Sequence, residues 1–161
     1  MIFVTVGTEQ FPFNRLIKAV DELQDALHNE QIYMQIGHAT YLPSCAHTRI
    51  LSFDEFRQKI IDARIVVSHA GVGTLLMCAS LGKKPIMMAR RKCYGEHVDD
   101  HQQMLAQRLA SRGRIILAEN PEELQQCLLD NDRHDALVST PDASETTLGA
   151  HLKDLLDEVA R

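Results

Sequence analysis

The sequence has no excess of basic residues: 17 Lys and Arg stand against 22 Asp and Glu, a formal net charge of −5 with a pI near 5.9. Affinity for a phosphate backbone rests on such an excess, so nucleic acid is excluded as the main partner. Paired cysteines are also missing. Cys45, Cys78, Cys93 and Cys127 are far apart and form no C-x-x-C, which leaves neither a zinc nor a dithiol motif and predicts reduced thiols in a cytoplasmic protein. Nowhere do 18 apolar residues follow one another, so any membrane association is expected to be peripheral or through another chain. No basic leader precedes the apolar stretch Ile2 to Val6 and no small-residue cleavage pattern follows it, which predicts a strand there rather than a targeting segment. Internal repeats and low-complexity tracts are absent as well.

What is present describes one globular domain over residues 1–161. Hydrophobic residues make up 45% of the chain, and a chain of this size buries roughly two-thirds of its unfolded surface without a disulfide or metal staple. Ile2 to Val6 ends at Gly7, as a buried strand meets a turn. After Pro12, the residues Phe13, Leu16, Ile17, Val20, Leu23 and Leu27 recur at helical spacing. Ile32 to Ile36 and Thr48 to Leu51 are expected strands, and Asp54 is the expected cap of a helix reaching Ile61. Ile65 to Val67 is the most strand-like run, followed by a buried helix that ends at Gly82. Pro85 to Ala89 and Ile115 to Ala118 are further strands, separated by a helix expected over His97 to Ser111. Asn120-Pro121-Glu122-Glu123 starts a helix to Leu129, and a final amphipathic helix is expected over 144–160. Strands alternating with helices imply a doubly wound α/β fold, Rossmann-like, with a parallel sheet covered on both faces.

Such sheets bind ligands at the carboxyl ends of their strands, where helix N-termini offer free N–H groups. Three loops lie there. Gly7-Thr8-Glu9-Gln10 pairs a glycine with a hydroxyl, and Ser68 to Thr74 carries Gly71 and Gly73 with His69 at the mouth of a helix. Gly95 to Gln103 is rich in groups that bind hydroxyls. Together they are suited to a diphosphate beside a polyol. Gly71 and Gly73 do not form G-x-G-x-x-G, and no lysine follows to complete a Walker loop, so nicotinamide and NTPase chemistry are disfavoured. No nucleophile elbow is present. His97, Asp100 and His101 approximate an inverted zinc-protease pattern, but with Asp in place of Glu and no third ligand in view.

Val66 to Thr74, Leu81-Gly82-Lys83-Lys84-Pro85, Gly95-Glu96-His97 and Asp100-His101-Gln102, with the opening Met1 to Thr8, resemble the C-terminal, donor-binding domain of glycosyltransferase family 28. The opening is similar to that family's split, dolichol-linked branch, and the Gly-Glu-His loop to its bacterial exopolysaccharide branch. The resemblance runs from Met1 to about Leu129. It implies the C-terminal half of a GT-B glycosyltransferase, with UDP-sugar as donor and neither cofactor nor metal. Gly7 and Thr8 would lie near the donor phosphates, and His69, Ala70, Gly71, Gly73 and Thr74 would cradle the diphosphate. Phe53 would cover the uracil. Asp100, His101, Gln102 and Gln103 would contact sugar hydroxyls, and Glu96 and His97 would belong to the same substrate-binding loop. The general base is expected from a partner, with His69 and Glu96 as candidates within this chain. Met77 stands where many relatives carry a ribose-binding Glu.

A full enzyme of this kind has two Rossmann-like domains, and this chain has room for one. The resemblance therefore implies a membrane-anchored, acceptor-binding partner subunit. The expected function is the donor-binding half of an inverting transferase that adds a sugar to a polyprenyl-diphosphate-linked saccharide in polysaccharide assembly at the cytoplasmic face of the membrane. The alternative is a non-catalytic nucleotide-sugar-binding module that activates a partner. Arg90 and Arg91 are expected to form a solvated basic turn, a carboxylated sugar being their less favoured use.

Overall fold

The computed structural model describes residues 1–130 and one further position, the exposed helical Asp157. Its elements are β1 (Ile2–Thr5), α1 (Asn14–Asp21), β2 (Ile32–Gln35), β3 (Ala46–Thr48), α2 (Phe53–Asp62), β4 (Ile65–His69), α3 (Val72–Ser80), β5 (Ile86–Met88), α4 (His101–Ser111), β6 (Ile116–Leu117) and α5 (Pro121–Leu129). The six strands form one sheet in the order β3-β2-β1-β4-β5-β6, and every pairing is parallel.

Strand alternation decides the layers, because successive side chains point to opposite faces. Ile2, Val4 and Val6 pack with Leu16, Ile17 and Val20 of α1 and with Leu124 and Leu128 of α5. On the other face Phe3 and Val66 meet Ile60 of α2 and Cys78 of α3, while Met87 meets Leu75 of α3 and Leu109 of α4. Both faces are thus covered, as the near-continuous apolar strands require, and the expected doubly wound class holds.

Several boundaries differ from those the sequence predicts. The third strand is Ala46–Thr48 rather than Thr48 to Leu51, and Ile50 is exposed. Ser52, not Asp54, caps α2: its Oγ accepts from the Glu55 N–H while Glu55 accepts from the Ser52 N–H in return, a capping box. Asp54 lies in the first turn, where an acid favours the helix dipole. Helical spacing through Leu27 overstates α1, which ends at Asp21, after which Leu23 and Leu27 stay buried in a series of turns. α4 begins at His101 instead of His97, since residues 97–100 are held in a turn by side-chain bonds described below. At α5 the prediction holds in detail: Asn120 Oδ1 accepts from the Glu123 N–H at 2.8 Å, with Pro121 in the first turn. The helix expected over 144–160 lies outside the described residues.

Candidate functional site

β1 and β4 are neighbours in the sheet, yet β1 leads to α1 on one face and β4 leads to α3 on the other. A crevice opens at the carboxyl ends of such a pair. The parallel sheet brings all three loops of interest to this edge: Gly7 to Gln10 after β1, Ala70 to Thr74 after β4, and Ala89 to Asp100 after β5. α3 enters through Gly71 in extended geometry with no side-chain cap. Its first-turn N–H groups lack intrahelical acceptors by geometry, at the carboxyl edge of the sheet.

His69, the last residue of β4, links two of these loops. Its side chain is buried, and a ring N–H donates to the Thr5 carbonyl. A Cβ built on Gly7 would lie 2.6 Å from His69 Cε1, and one built on Gly71 would come closer still to Nε2. Gly7, at φ +72°, also needs a left-handed backbone. Both glycines therefore leave room for the imidazole. Burial, then the Arg90 cation and, more weakly, His97 hold the His69 pKa down at about 4, against the pull of the Thr5 bond. The ring is neutral at physiological pH and a poor proton acceptor there. Gly73 is different: nothing lies within 4 Å of a Cβ added to it.

The β5–α4 loop is organised by two arginines that sequence reasoning did not assign to the site. Arg15, on α1, grips the Glu96 carboxylate with two hydrogen bonds, Nε to Oε1 at 3.0 Å and Nη2 to Oε2 at 2.9 Å. Its guanidinium lies 4.9 Å from the Tyr94 ring centroid. Glu96 Oε2 also accepts the Arg91 N–H, and the residue is 4% exposed. Three donors, two from the Arg15 guanidinium and one from the Arg91 backbone, thus engage that carboxylate. Arg90 is fully buried and donates to the carbonyls of Val6, Phe11 and Glu96, while Arg91 pairs with Glu119 at 3.0 Å. The solvated reading is thus overturned at Arg90 by its burial, whereas Arg91 stays partly exposed with its guanidinium paired to Glu119.

The remaining residues of the third loop divide. Asp99, not singled out by sequence, accepts from the His101 N–H and approaches Nδ1 of both His97 and His101. Asp100 turns back, its Oδ1 accepting from the Lys92 N–H at 2.9 Å. His101 is largely exposed, and Gln102 and Gln103 are partly so, on the first turn of α4. Among the described residues no three His, Cys, Asp or Glu side chains could together hold a metal. Thr8 stands exposed on the first loop. Ala70 packs under α3 with Leu75, and Thr74 is buried in the first helical turn. Phe53, 69% exposed, opens α2 beyond β3, at the same carboxyl edge of the sheet. Met77 packs against the Phe3, Ile60 and Cys78 cluster. No spacing rule reveals Arg15, whose partner is 81 residues away. Arg90 left one usable signal, a charge placed immediately after a buried strand.

The comparisons agree with this geometry. The glycosyltransferase family 28 C-terminal domain matches residues 1–158. UDP-N-acetylglucosamine transferase subunit ALG13 of Homo sapiens is 32% identical over 124 residues, covering 71% of this chain and 11% of that protein. The Candida glabrata protein of the same name is 29% identical over 92 residues, covering 56% of this chain and 44% of its own length. The chain therefore spans from about a tenth to less than half of these relatives. Among solved structures, the calicheamicin glycosyltransferase CalG4 superposes with a TM-score of 0.58 at 12% identity, over 99% of this chain and 38% of that one. MurG of Acinetobacter baumannii does so with 0.54 at 17%, over 96% and 49%. At these identities the structural likeness speaks for the fold.

Proposed function

This chain belongs to the glycosyltransferase family 28 C-terminal domain family, and from that premise we propose that it binds the UDP-sugar donor of a two-part, inverting glycosyltransferase. The observation that carries the reading is the convergence of the β1–α1 loop, the uncapped α3 N-terminus and the polar β5–α4 segment on one edge of the sheet, at the point where the chain switches faces. The α3 N–H groups supply donors and dipole for a diphosphate leaving group, and such oriented donors can stabilise developing charge without a metal. Gly7, Thr8 and His69 to Thr74 line the diphosphate end. His97, Asp100, His101, Gln102 and Gln103 line the sugar end. Phe53 offers an exposed ring to the base. Glu96 supports this segment from beneath through Arg15.

UDP-N-acetylglucosamine is the first donor to test, because the similar proteins bear that name. Their designation as a subunit supports a partner that supplies the acceptor half. That partner would be membrane-anchored, would present a polyprenyl-diphosphate-linked saccharide and would recruit this chain to the cytoplasmic face, in assembly of an extracellular or capsular polysaccharide. Among the described residues no helix is long and apolar enough to cross a membrane.

The test is a titration of the chain with UDP, UDP-N-acetylglucosamine and UDP-glucose, read by calorimetry and thermal shift. Binding of at least one UDP ligand, at a level that raises the melting temperature, is the expected result. Indifference to all three at millimolar concentration overturns the donor reading. Transfer assays after co-expression with a candidate acceptor-binding subunit then separate an enzyme half from a binding module: a Gly73→Trp variant should bind no donor and abolish transfer if the site is catalytic.

A further inference from the structure

Arg90 heads the fully buried side chains by size. A guanidinium removed from water is costly unless charge and hydrogen bonds compensate it, and an apolar side chain of like volume usually serves stability as well or better. Arg90 is incompletely compensated. Its Nη2 donates to the Val6 carbonyl at 2.7 Å, and its Nη1 to those of Phe11 at 2.8 Å and Glu96 at 3.2 Å. Nε has no hydrogen-bond partner among the described residues. The Phe13 ring lies 4.9 Å from the guanidinium carbon. Burial lowers the Arg90 pKa from its ordinary value, with Glu9 and Glu96 opposing this from nearby.

The three carbonyls share a location. Val6 and Phe11 bracket the loop after β1, and Glu96 opens the segment that leads into α4. One side chain thus spans the crevice edge from the first loop to the third, and its cation is close enough to oppose protonation of His69 between them. The guanidinium serves the three carbonyls from two nitrogens of a planar fork, whereas a lysine would have to serve them from a single atom and an apolar residue would leave all three without this donor.

We propose that Arg90 is a positioning residue: its guanidinium holds the Val6–Phe11 loop and the Glu96–Gln103 segment at one spacing, and thereby sets the affinity for a nucleotide-sugar donor that it does not touch. This rests on the donor reading above. It assigns the buried cation to the geometry of the site rather than to the stability of the fold.

The experiment uses the whole chain, wild type, Arg90→Lys and Arg90→Met, with UDP as the probe. Affinity is measured by calorimetry, and amide exchange of the ligand-free protein is followed by mass spectrometry. Expected in Arg90→Lys is a loss of UDP affinity of about tenfold or more, comparable to losing one charge-assisted hydrogen bond. Exchange should rise together in segments 7–11 and 96–102 and stay unchanged in β1 and β4. In Arg90→Met the His69 ring, followed by NMR, should titrate at higher pH than in wild type, His97 being the other group among the described residues whose charge bears on it. A role in stability alone would leave UDP affinity unchanged in a folded variant. Wild-type affinity in Arg90→Lys with unchanged loop exchange overturns the proposal. If Arg90→Met does not fold, Arg90→Lys decides. If wild type fails to bind UDP, the donor reading fails, and the paired rise or constancy of exchange in the two segments still decides whether Arg90 positions them.

Discussion

An imidazole packed against two glycines and placed near a buried guanidinium takes up a proton only at a cost to the fold. For His69 the sign follows from the pKa values. The unfolded ring titrates near 6.5 and the folded one at about 4, so the unfolded chain binds more protons between them and stability rises with pH across that window. The contribution is complete above pH 6.5 and is lost as pH falls toward 4, to a limit of about 3 kcal/mol. Denaturant titrations at pH 7, 5.5 and 4.5 should show this decline in wild type and a shallower one in His69→Gln; parallel declines would remove His69 as its source. The same packing separates the two glycines of the second loop. Gly71→Ala places a methyl into the ring, and is expected to destabilise by about 1–3 kcal/mol. Pairing it with His69→Ala should return much of that loss in a double-mutant cycle. Gly73→Ala meets open space on a helix, and should be neutral or stabilising by up to about 1 kcal/mol.

At the scale of elements, the decisive contacts tie a helix on one face of the sheet to a loop that leads to a helix on the other. Arg15 is 16% exposed at its side chain and Glu96 6%, so removing Arg15 leaves a buried carboxylate with the Arg91 N–H but without its counter-charge. Arg15→Ala is expected to cost about 3–5 kcal/mol, and the Arg15→Met/Glu96→Leu pair much less than either truncation alone. Urea denaturation of the three variants checks this, and near-additive losses would contradict it. The capping box of α2 permits a cleaner separation of fold from binding. Ser52→Ala should cost about 1 kcal/mol of stability. The adjacent Phe53→Ala removes a ring that is mostly in solvent, so it should alter stability by less than about 0.5 kcal/mol. If the ring covers the base, the same variant should weaken UDP binding by about 1–3 kcal/mol, the worth of one aromatic stack on a base. Equal UDP affinity in wild type and Phe53→Ala would remove that residue from the site.

For the whole molecule the question is what one sheet can catalyse. An edge that binds donor places the anomeric carbon but brings no acceptor to it, and holding both reactants together is worth about 7–11 kcal/mol of barrier. The chain by itself should therefore bind donor yet show little transfer to a lipid-linked acceptor, with turnover appearing on addition of an acceptor-binding subunit. Rapid transfer by this chain alone, with no second polypeptide in the preparation, would sink the two-part reading. Saturating EDTA should leave UDP affinity unchanged, because the proposed site neutralises phosphate with helix N–H groups. A loss that manganese or magnesium restores would show otherwise.

The local sequence by itself determined the class of this protein. Apolar runs of five residues ending at glycine, alternating with helical spacing, admit little but a parallel sheet covered on both faces, and the glycine- and histidine-bearing loops had to fall at one edge. The cap written in Asn120 to Glu123 was equally legible, its partners lying in one turn, whereas the α2 capping box, just as local, was expected two residues late at Asp54 because an acid inside the first turn resembles a cap. Helix α4 was misread at its start because the turn at 97–100 is closed by Asp99 and the two histidines, side chains that the pattern of apolar residues does not register. The roles of Arg15, Arg90 and Glu96 were decided only by tertiary structure. Arg90 lies 84 residues from the Val6 carbonyl it serves, and Arg15 lies 81 from Glu96, so no local pattern encodes either contact. Charge at such positions reads as solvent exposure until folding shows that a buried partner is there to receive it.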